Sequence, residues 1–563
     1  MPVQVKTPEQ MQTAQDIAEL VGPEWSDMAF RGAYDGASRI DKDLARWNPP
    51  LVSADSEQIV DKAVLDARSR DMHRNNPHAF TATEVHKDSI VGAMYMLNSR
   101  PDVRVLGWDE DRAEEFQTEV EGKFQTWADS EHRWVDAARK LDLTEMCRLA
   151  VGVFLFGGEF LATAEWMSTQ RRQFRTAVQL IDTDRLLTPP EHMHNPFVRG
   201  GIKHDKWGGA VSAYIRKHHP FDFFGQIMQP DQLDFSEVGF RKPWGRAQIL
   251  HVQDHQRIDQ SRAVSKMTAG IREMAIGKKF KDITLQNAVV NATYAAAIES
   301  ELPTEVVMQQ LGAGNTGAGD AVANYAEAYL GAISEYVGSS KHMAIDGVKI
   351  PHLFPGTKMH LHPAGTPGGV GQDFEASLLR TTARLLGISY EELTGDFSGS
   401  NYASFRGAVM TTWKHMQSQK KVLADRVANF IFRLWLEEAI NADEIETFRA
   451  REAGLLYSNG HQNLMFDALC KAEWIGAARG QIDELKETQA ATLRIKFGLS
   501  THEDELARLG KDWRRVYAQL AREKRMRDDL DIELMEDNSV NAASGATREA
   551  DDGEKDSANA SDA

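Results

Sequence analysis

The sequence predicts an α+β fold, mainly helical, with a β-rich section inserted among the helices. Helical periodicity recurs in four separate blocks, at 53–97, 109–151, 259–302 and 374–440. Between Phe154 and His251 the texture changes to short β-type runs punctuated by Gly, Pro and Asp. Composition agrees: 42% hydrophobic and 26% charged residues supply ample core material and exclude wholesale disorder. At about 100–200 residues per domain, a chain of 563 residues holds three to five structural units or one elongated multi-part subunit.

Taken in order, residues 1–48 read as a helix-rich arm with a helix start at Thr7-Pro8-Glu9-Gln10, closed by the breaker Trp47-Asn48-Pro49-Pro50. The helical block 53–97 carries Ile59, Ala63, Leu65 and Ala67 before the polar interruption Arg74-Asn75-Asn76-Pro77, and a third helical block spans Asp109–Val151. Strands are expected at Phe160–Thr163, Ala177–Ile181, Ala213–Arg216 and Ala247–Val252, with a turn at Lys206-Trp207-Gly208-Gly209. Helix returns over 259–302, followed by the Gly-rich stretch Gly312–Gly319 and a short helix at Ala321–Val337. Asp346-Gly347 marks a hairpin within His342–Ile350, and a further strand is expected at Thr357–Leu361. The breaker-rich segment Pro363–Gly371 leads to a helix at Phe374–Leu386, a loop over Ser389–Tyr402 and a long helix over Ala403–Ile440. A final helical region, 461–535, ends in a polar tail from Asn538 whose composition predicts disorder.

Charge and cysteine content exclude several functions. With 65 Lys+Arg against 83 Asp+Glu the net charge is −18, which argues against simple DNA coating, because non-specific duplex affinity comes from cations displacing counterions. It leaves room for a protein that surrounds DNA without gripping it. Cys147 and Cys470 are too few for a disulfide framework or a cysteine zinc site and are expected to be two buried thiols. The N-terminus has no basic segment followed by an apolar core, so no signal peptide is expected. Leu149–Trp166, the most apolar stretch, is interrupted by Glu159, Glu165 and two glycines, so no membrane partner is expected. A soluble, intracellular protein fits best.

No catalytic, cofactor or metal residue emerges. Gly312–Gly319 contains G-x-G-x-x-G but lacks the preceding buried strand of a dinucleotide site, and no Lys-Ser/Thr follows it. The histidine pairs His192/His194, His218/His219, His251/His255 and His360/His362 lack an H-E-x-x-H arrangement or cysteine partners. Carboxylate pairs such as Asp182/Asp184 are what a chain so rich in acids produces by chance. No G-x-S-x-G elbow occurs.

One local anomaly stands against the acidic background. From Phe397 to Ala424 there is no Asp or Glu, yet Arg406, Lys414, Lys420 and Lys421 are present with His415. Spacings of eight and seven residues keep 406, 414 and 421 close to one helical face. Phe405, Val409, Thr412 and Met416 fall on the other side, and Val427, Phe430, Ile431, Leu434 and Trp435 continue as core. Such a positive island is either a solvated face or a surface held near a polyanion.

Here the residues resemble the lambda-type portal proteins of tailed bacteriophages. Leu386-Gly387-Ile388-Ser389-Tyr390-Glu391-Glu392-Leu393-Thr394-Gly395-Asp396 and Ser398-Gly399-Ser400-Asn401-Tyr402-Ala403-Ser404 look like the family segment GLGVSYELLTGDYSGTNYSS. Upstream, Trp47 with Ser53-Ala54-Asp55, Arg68 to Asp71 with Arg74-Asn75-Asn76-Pro77, and Gly157-Gly158-Glu159 follow the family order. So do Leu180–Leu186, Leu250-His251-Val252, and Arg257, Gln260 and Arg262. Ala263 departs from a usual Gly, and Gly312–Gly319 has no clear counterpart.

The resemblance implies a portal fold of wing, stem, clip and crown in a ring-forming, non-enzymatic subunit. It divides the chain into an N-terminal arm (1–48), a wing (49–258), a first stem helix region (259–302), a clip (303–370) and a second stem helix (371–388). A tunnel loop (389–404), a long helix with wing return (405–460), a crown (461–536) and a disordered acidic tail (537–563) complete it. The implied function is a ring of about 12 subunits at one capsid vertex. Double-stranded DNA passes through it non-specifically during DNA packaging and ejection. Implied partners are the terminase large subunit, a head–tail connector or adaptor, the major capsid protein and the scaffold. Its implied place is the virion, with the host cytoplasm during assembly. Candidates for DNA contact at the tunnel are Asn401, Tyr402, Ser404, Arg406, Lys414, Lys420 and Lys421. The alternative is a head–tail connector or adaptor ring protein, although those chains are usually shorter and lack the helix–loop–helix of 372–440.

Overall fold

The computed structural model describes residues 35–37, 41–44, 46–168, 172–220, 234–294, 343–345, 348–350, 370–480 and 483–531. The expected arm helix, Gly312–Gly319, the Ala321–Val337 helix, the Thr357–Leu361 strand and the C-terminal tail lie outside these residues. The chain divides into two compact units that do not follow chain order. One comprises 1–64, 182–240 and 253–264, and the other 65–181, 241–252 and 265–563. The expected wing, 49–258, is thus shared between both.

The first unit holds an antiparallel sheet of strands Val198–Arg199, Ile202–His204, Ala210–Arg216 and Phe235–Gly239, hydrogen-bonded in that order. The turn expected at 206–209 joins the second and third strands, and Asp205 closes it by accepting the Trp207 and Gly209 N–H groups. Arg262 lies buried and donates to the carbonyls of Thr183, Leu186 and Gly200. Next to it, Ser261 N–H and Oγ–H both donate to Asp55, 2.7 Å each, and Arg199 pairs with the same carboxylate at 3.1 Å. Gln260 Oε1 accepts the Gln256 and Arg257 N–H groups. The motifs at 53–55, 180–186 and 257–262 therefore meet, each supplying donors or acceptors that burial would otherwise leave unpaired. Ala263, in place of the usual Gly, sits outside the left-handed region and offers its carbonyl to Lys62 Nζ at 2.6 Å. Its Cβ brings no backbone strain.

The second unit carries the main apolar core. Helices Pro77–Ile90, Glu110–Ala128, Leu143–Gly157 and Asp425–Asn441 surround it, with Phe124, Trp127, Phe174, Phe432, Trp435 and Trp474 in mutual ring contact. Asn76 caps the first of these helices, accepting from His78 and Ala79 N–H, with Pro77 in its first turn, so Arg74–Pro77 is a helix stop and start. The expected helix over 53–97 is consequently two helices, Ala54–Asn75 and Pro77–Ile90. It ends before strand Met96–Ser99, which pairs antiparallel with Ala472–Ile475.

The block expected at 109–151 also breaks. Asp136 accepts the N–H groups of Ala138, Lys140 and Leu141 between the helices, and Asp142 opens the next one with a capping box to Glu145. Strands Glu159–Trp166, Thr176–Ile181 and Ile249–Gln253 form a three-stranded sheet with 159–166 in the centre. Gly158, at φ 79°, ends helix Leu143–Gly157 and turns the chain into that strand. Fully buried Glu159 meets His251 Nε2 at 3.0 Å, so the Gly157–Glu159 and Leu250–Val252 motifs also form one contact.

Helices Ile271–Tyr294 and Val370–Leu386 pack together through Phe280–Phe374, 5.5 Å edge to face, and the ion pair Lys281–Glu375 at 2.7 Å. The first begins later than the expected 259, because 259–265 is irregular chain followed by a 3₁₀ turn at Lys266–Gly270. The second starts at Val370, inside the segment expected to be breaker-rich loop. Met343–Ile345 and Val348–Ile350 form the expected hairpin pair. The region 461–535 is not wholly helical: it begins with the hairpin strand His461–Gln462 and includes strand Ala472–Ile475 before helices Glu484–Lys496, His502–Arg508 and Trp513–Leu530. Apolar Trp474 and Ile475 are buried there, one on each face of the strand. Cys147 and Cys470 are both buried and unpaired, as expected.

Candidate nucleic-acid interface

The positive island starts from a closely fixed hinge. Helix Val370–Leu386 ends at Gly387, whose φ of 72° is left-handed; a Cβ there would lie 2.4 Å from the His415 ring. Only glycine fits both the backbone and the neighbour. Ser389 then caps a short helix, Tyr390–Thr394, in a capping box with Glu392. Glu392 Oε2 also accepts from Thr412 Oγ at 2.7 Å, which ties the short helix to the following long one.

The stretch expected as one loop, 389–404, is therefore half helix: Tyr390–Thr394 and the start of Tyr402–Gln419 flank Gly395–Asn401, and Ser389 is a cap. The capping serine, itself spaced three residues before a glutamate, accounts for this. In the remaining loop, Asp396 accepts from both N–H and Oγ–H of Ser398, which holds its carboxyl below the usual range. Phe397 packs edge to face on Phe405 at 5.2 Å.

Asn401 and Ser404 are placed as the N-cap of helix Tyr402–Gln419. Asn401 Oδ1 accepts the Ser404 N–H at 2.8 Å, and Ser404 Oγ accepts the Asn401 N–H at 3.0 Å. Their polar groups are thus engaged in starting the helix. Tyr402 is exposed, and Arg406, one turn on, is half-buried. Asp483 is held below the usual carboxylate range chiefly by its hydrogen bond from Lys486, with Arg406 adding its charge through space. Lys414 is exposed. Among the described residues no carboxylate lies within ion-pair distance of Arg406 or Lys414. On the opposite side Thr412 and Met416 are buried, Phe405 and Val409 half-buried, as the spacing predicts.

At the other end the arrangement differs. Lys420–Ala424 forms a π turn between the two helices. This turn draws Lys420 inward: Nζ donates to the Trp474 carbonyl at 2.6 Å, lies 3.5 Å from Asp425 Oδ1 and sits over the Tyr95 ring at 5.6 Å. Burial lowers the Lys420 pKa, opposed by Asp425 and reinforced by Lys421. Tyr95 O–H donates to Asp425 at 2.5 Å, and burial, then the Asp425 charge, push the phenol well above its ordinary value. Lys421 remains exposed but pairs with Asp425 Oδ2 at 3.0 Å. Lys420 is therefore a buried member of a structural charge network and not a presented cation. The partners Asp425, Tyr95 and Trp474 were missed from sequence; only Asp425, four residues after Lys421, left a signal in its helical spacing.

Elsewhere the structure brings Asp182, Asp184 and His219 together, with ligand atoms within 4.8 Å of one another and His219 Nε2 3.2 Å from Asp184. Asp182 also accepts the Asp184 N–H, which closes a 3₁₀ turn. His251 Nε2 lies 3.0 Å from Glu159, inside the fold.

Comparison with known proteins extends over most of the chain. Residues 41–420 match the family of phage portal proteins, lambda family. The portal protein of Escherichia phage N15 is 32% identical over 515 residues, covering 90% of this chain and 93% of that one. Portal protein B of Escherichia phage lambda is 31% identical, covering 90% and 92%. Among solved structures, the neck of an empty GTA particle computed with C6 symmetry aligns with 81% of this chain and 99% of its own, at 12% identity and a TM-score of 0.39. With more than half of its length inside the family's pattern, and two portal proteins alike nearly end to end, the chain belongs to the lambda family of phage portal proteins, structural proteins of the virion.

Proposed function

We propose that this chain assembles as a ring of about a dozen copies at one capsid vertex and serves as the conduit through which duplex DNA enters and leaves. The ring is the platform for the terminase large subunit, for a head–tail adaptor, and for the major capsid protein and scaffold during assembly in the host cytoplasm. The chain itself is structural; the motor activity belongs to a separate protein. Helices Ile271–Tyr294 and Val370–Leu386 are the stem, Gly395–Asn401 is the mobile core of the tunnel loop, and Glu484–Leu530 lies in the crown.

The observation that carries this reading is family membership over 41–420, a span that includes the hinge, the capped loop and the charged helix. Charge supports it. Duplex DNA carries one negative charge per about 1.7 Å of axis, and a chain with net charge −18 repels it over roughly a Debye length, about 8–10 Å. Against that background Arg406 and Lys414 are isolated cations that contact phosphates without reading bases. Lys420 leaves the group of contacts, and Asn401 and Ser404 act by fixing the start of the helix that presents Arg406.

Negative-stain microscopy of the purified full chain tests the reading directly. Rings with a central hole are expected; a population of discrete single copies overturns it.

A further inference from the structure

Helix Trp513–Leu530 is the most cationic helix of the described chain, and neither the portal reading nor the tunnel candidates account for it. It carries Arg514, Arg515, Arg522, Lys524, Arg525 and Arg527 against Glu523, Asp528 and Asp529, in a protein of net charge −18. The cations are not evenly spread. At 100° per residue, Arg514, Arg515, Arg522 and Arg525 fall within about 100° of one another. Ala518 and Ala521 lie among them or at their edge, and Asp529 is the acid on that face, at its far end. Trp513, Val516, Tyr517 and Leu520 fall on the opposite side.

The contacts agree with this division. Tyr517 meets Trp513 at 5.7 Å within the helix and His502 of helix His502–Arg508 at 6.2 Å, while Tyr517 and Leu520 themselves stay exposed. Arg514 is half-buried and anchors the helix start, donating to both oxygens of Glu121 at 3.2 Å. Arg515, Arg522 and Arg525 are exposed; Arg515 Nε lies 3.7 Å from Asp512, Arg522 donates to Gln519, and Arg525 Nε reaches the Ala521 carbonyl. Among the described residues no carboxylate neutralises Arg522 or Arg525.

We infer that the exposed stripe Arg515–Arg522–Arg525 is a second DNA-contact surface, one that holds phosphate backbone of the packaged duplex without reading its sequence. Ten residues of helix separate its ends, about 15 Å, a length over which a duplex carries about nine charges. Alanine, not a longer side chain, stands beside the arginines, so the backbone can approach closely. The guanidinium is the group suited to phosphate at such a site, because its planar fork gives two parallel hydrogen bonds. Engagement is weak and salt-sensitive, which lets the ring hold DNA loosely where the bulk charge of the protein repels it. This inference rests on the portal reading.

The test measures binding of a fluorescent 40-bp duplex by the purified full-length protein over a NaCl series, with ring integrity checked by microscopy. For Arg522→Gln/Arg525→Gln we expect intact rings, at least about tenfold weaker binding at low salt, and a salt slope shallower by about 2 or more, near 0.9 per lost phosphate contact. Arg522→Lys/Arg525→Lys should restore most of the slope. Intact rings with unchanged affinity and slope, or no measurable binding by the unaltered ring, overturn the inference and leave the portal reading standing. Loss of rings in Arg522→Gln/Arg525→Gln, where the unaltered protein forms them, also overturns it, assigning the stripe to a neighbouring copy. Failure of the unaltered protein to form rings sinks the portal reading itself.

Discussion

The two ends of the positive island carry the same sign of charge in different surroundings. At the N-terminal end, Asn401 and Ser404 cap a helix that leaves Arg406 half-buried and Lys414 exposed, with no ion-pair partner among the described residues. At the C-terminal end, a π turn takes Lys420 inside to the Trp474 carbonyl and Asp425, and the same carboxylate engages Lys421. A run free of acids therefore does not present all its cations. The first acid after the run, Asp425, collects the nearest two. Whether a lysine meets solvent or a buried carboxylate depends on an extra residue in one turn of helix, and π turns of this kind are too short and too rare to be read from spacing.

The contrast can be broken most severely at Lys420. Lys420→Glu places a second carboxylate beside buried Asp425 and removes the donor to Trp474. We expect a loss of about 3–5 kcal/mol, seen as a lowered thermal midpoint and poor soluble yield. A charge reversal at 420 combined with one at 421 would therefore report folding and not DNA contact. A wild-type midpoint for Lys420→Glu would mean that this end of the island is open after all.

Acid probes the contact between helix Pro77–Ile90 and helix Tyr402–Gln419. His86 is buried beside His415, their rings 6.4 Å apart at 88°; its Nδ1–H donates to the Ala82 carbonyl. Burial, with smaller contributions from His415 and Lys266, lowers its pKa from 6.5 to about 4. The unfolded chain then binds the proton first, so stability is full above pH about 6.5 and falls as the pH drops toward 4, by up to about 3 kcal/mol. Unfolding midpoints across pH 7 to 4 should show this decline, and His86→Gln should flatten it. A smaller effect belongs to the exposed end: Asn401→Ala removes one cap and should cost about 1 kcal/mol, while Asn401→Asp retains stability. Smallest in stability is Arg406→Gln/Lys414→Gln, expected to stay within about 0.5 kcal/mol while reducing DNA retention in assembled particles. Unchanged retention would remove the exposed end from the contact surface.

Much of the fold was legible where chemistry is local. Asn76, Asp142, Ser389 and Asn401 cap helices, but the sequence reading breaks only at Arg74–Pro77; the expected block 109–151 runs through Asp142, and Ser389 and Asn401 fall in an expected loop. The β-type runs 160–163, 177–181 and 213–216 lie in strands, as does 249–252 of the run expected from 247, and Val427, Phe430, Ile431, Leu434 and Trp435 are buried. Of the candidate site, only the outward-facing part was legible. Several of the family motifs are fold residues: Arg262 donates to the Thr183 and Leu186 carbonyls, Ser261 donates to Asp55, and Glu159 meets His251. Their partners stand tens to hundreds of residues away, beyond any window of spacing.

By itself the sequence determined the helical and β-rich blocks, the net charge of −18, and the family to which the chain belongs. These follow from composition, period and capping, which act over a few neighbouring residues. The tertiary structure alone decided which cations remain available, which carboxylate captures Lys420, and that Met96–Ser99 pairs with Ala472–Ile475. Those outcomes depend on burial, where an unpaired charge or backbone group costs several kcal/mol and must find a partner. That partner comes from whichever segment folding brings alongside.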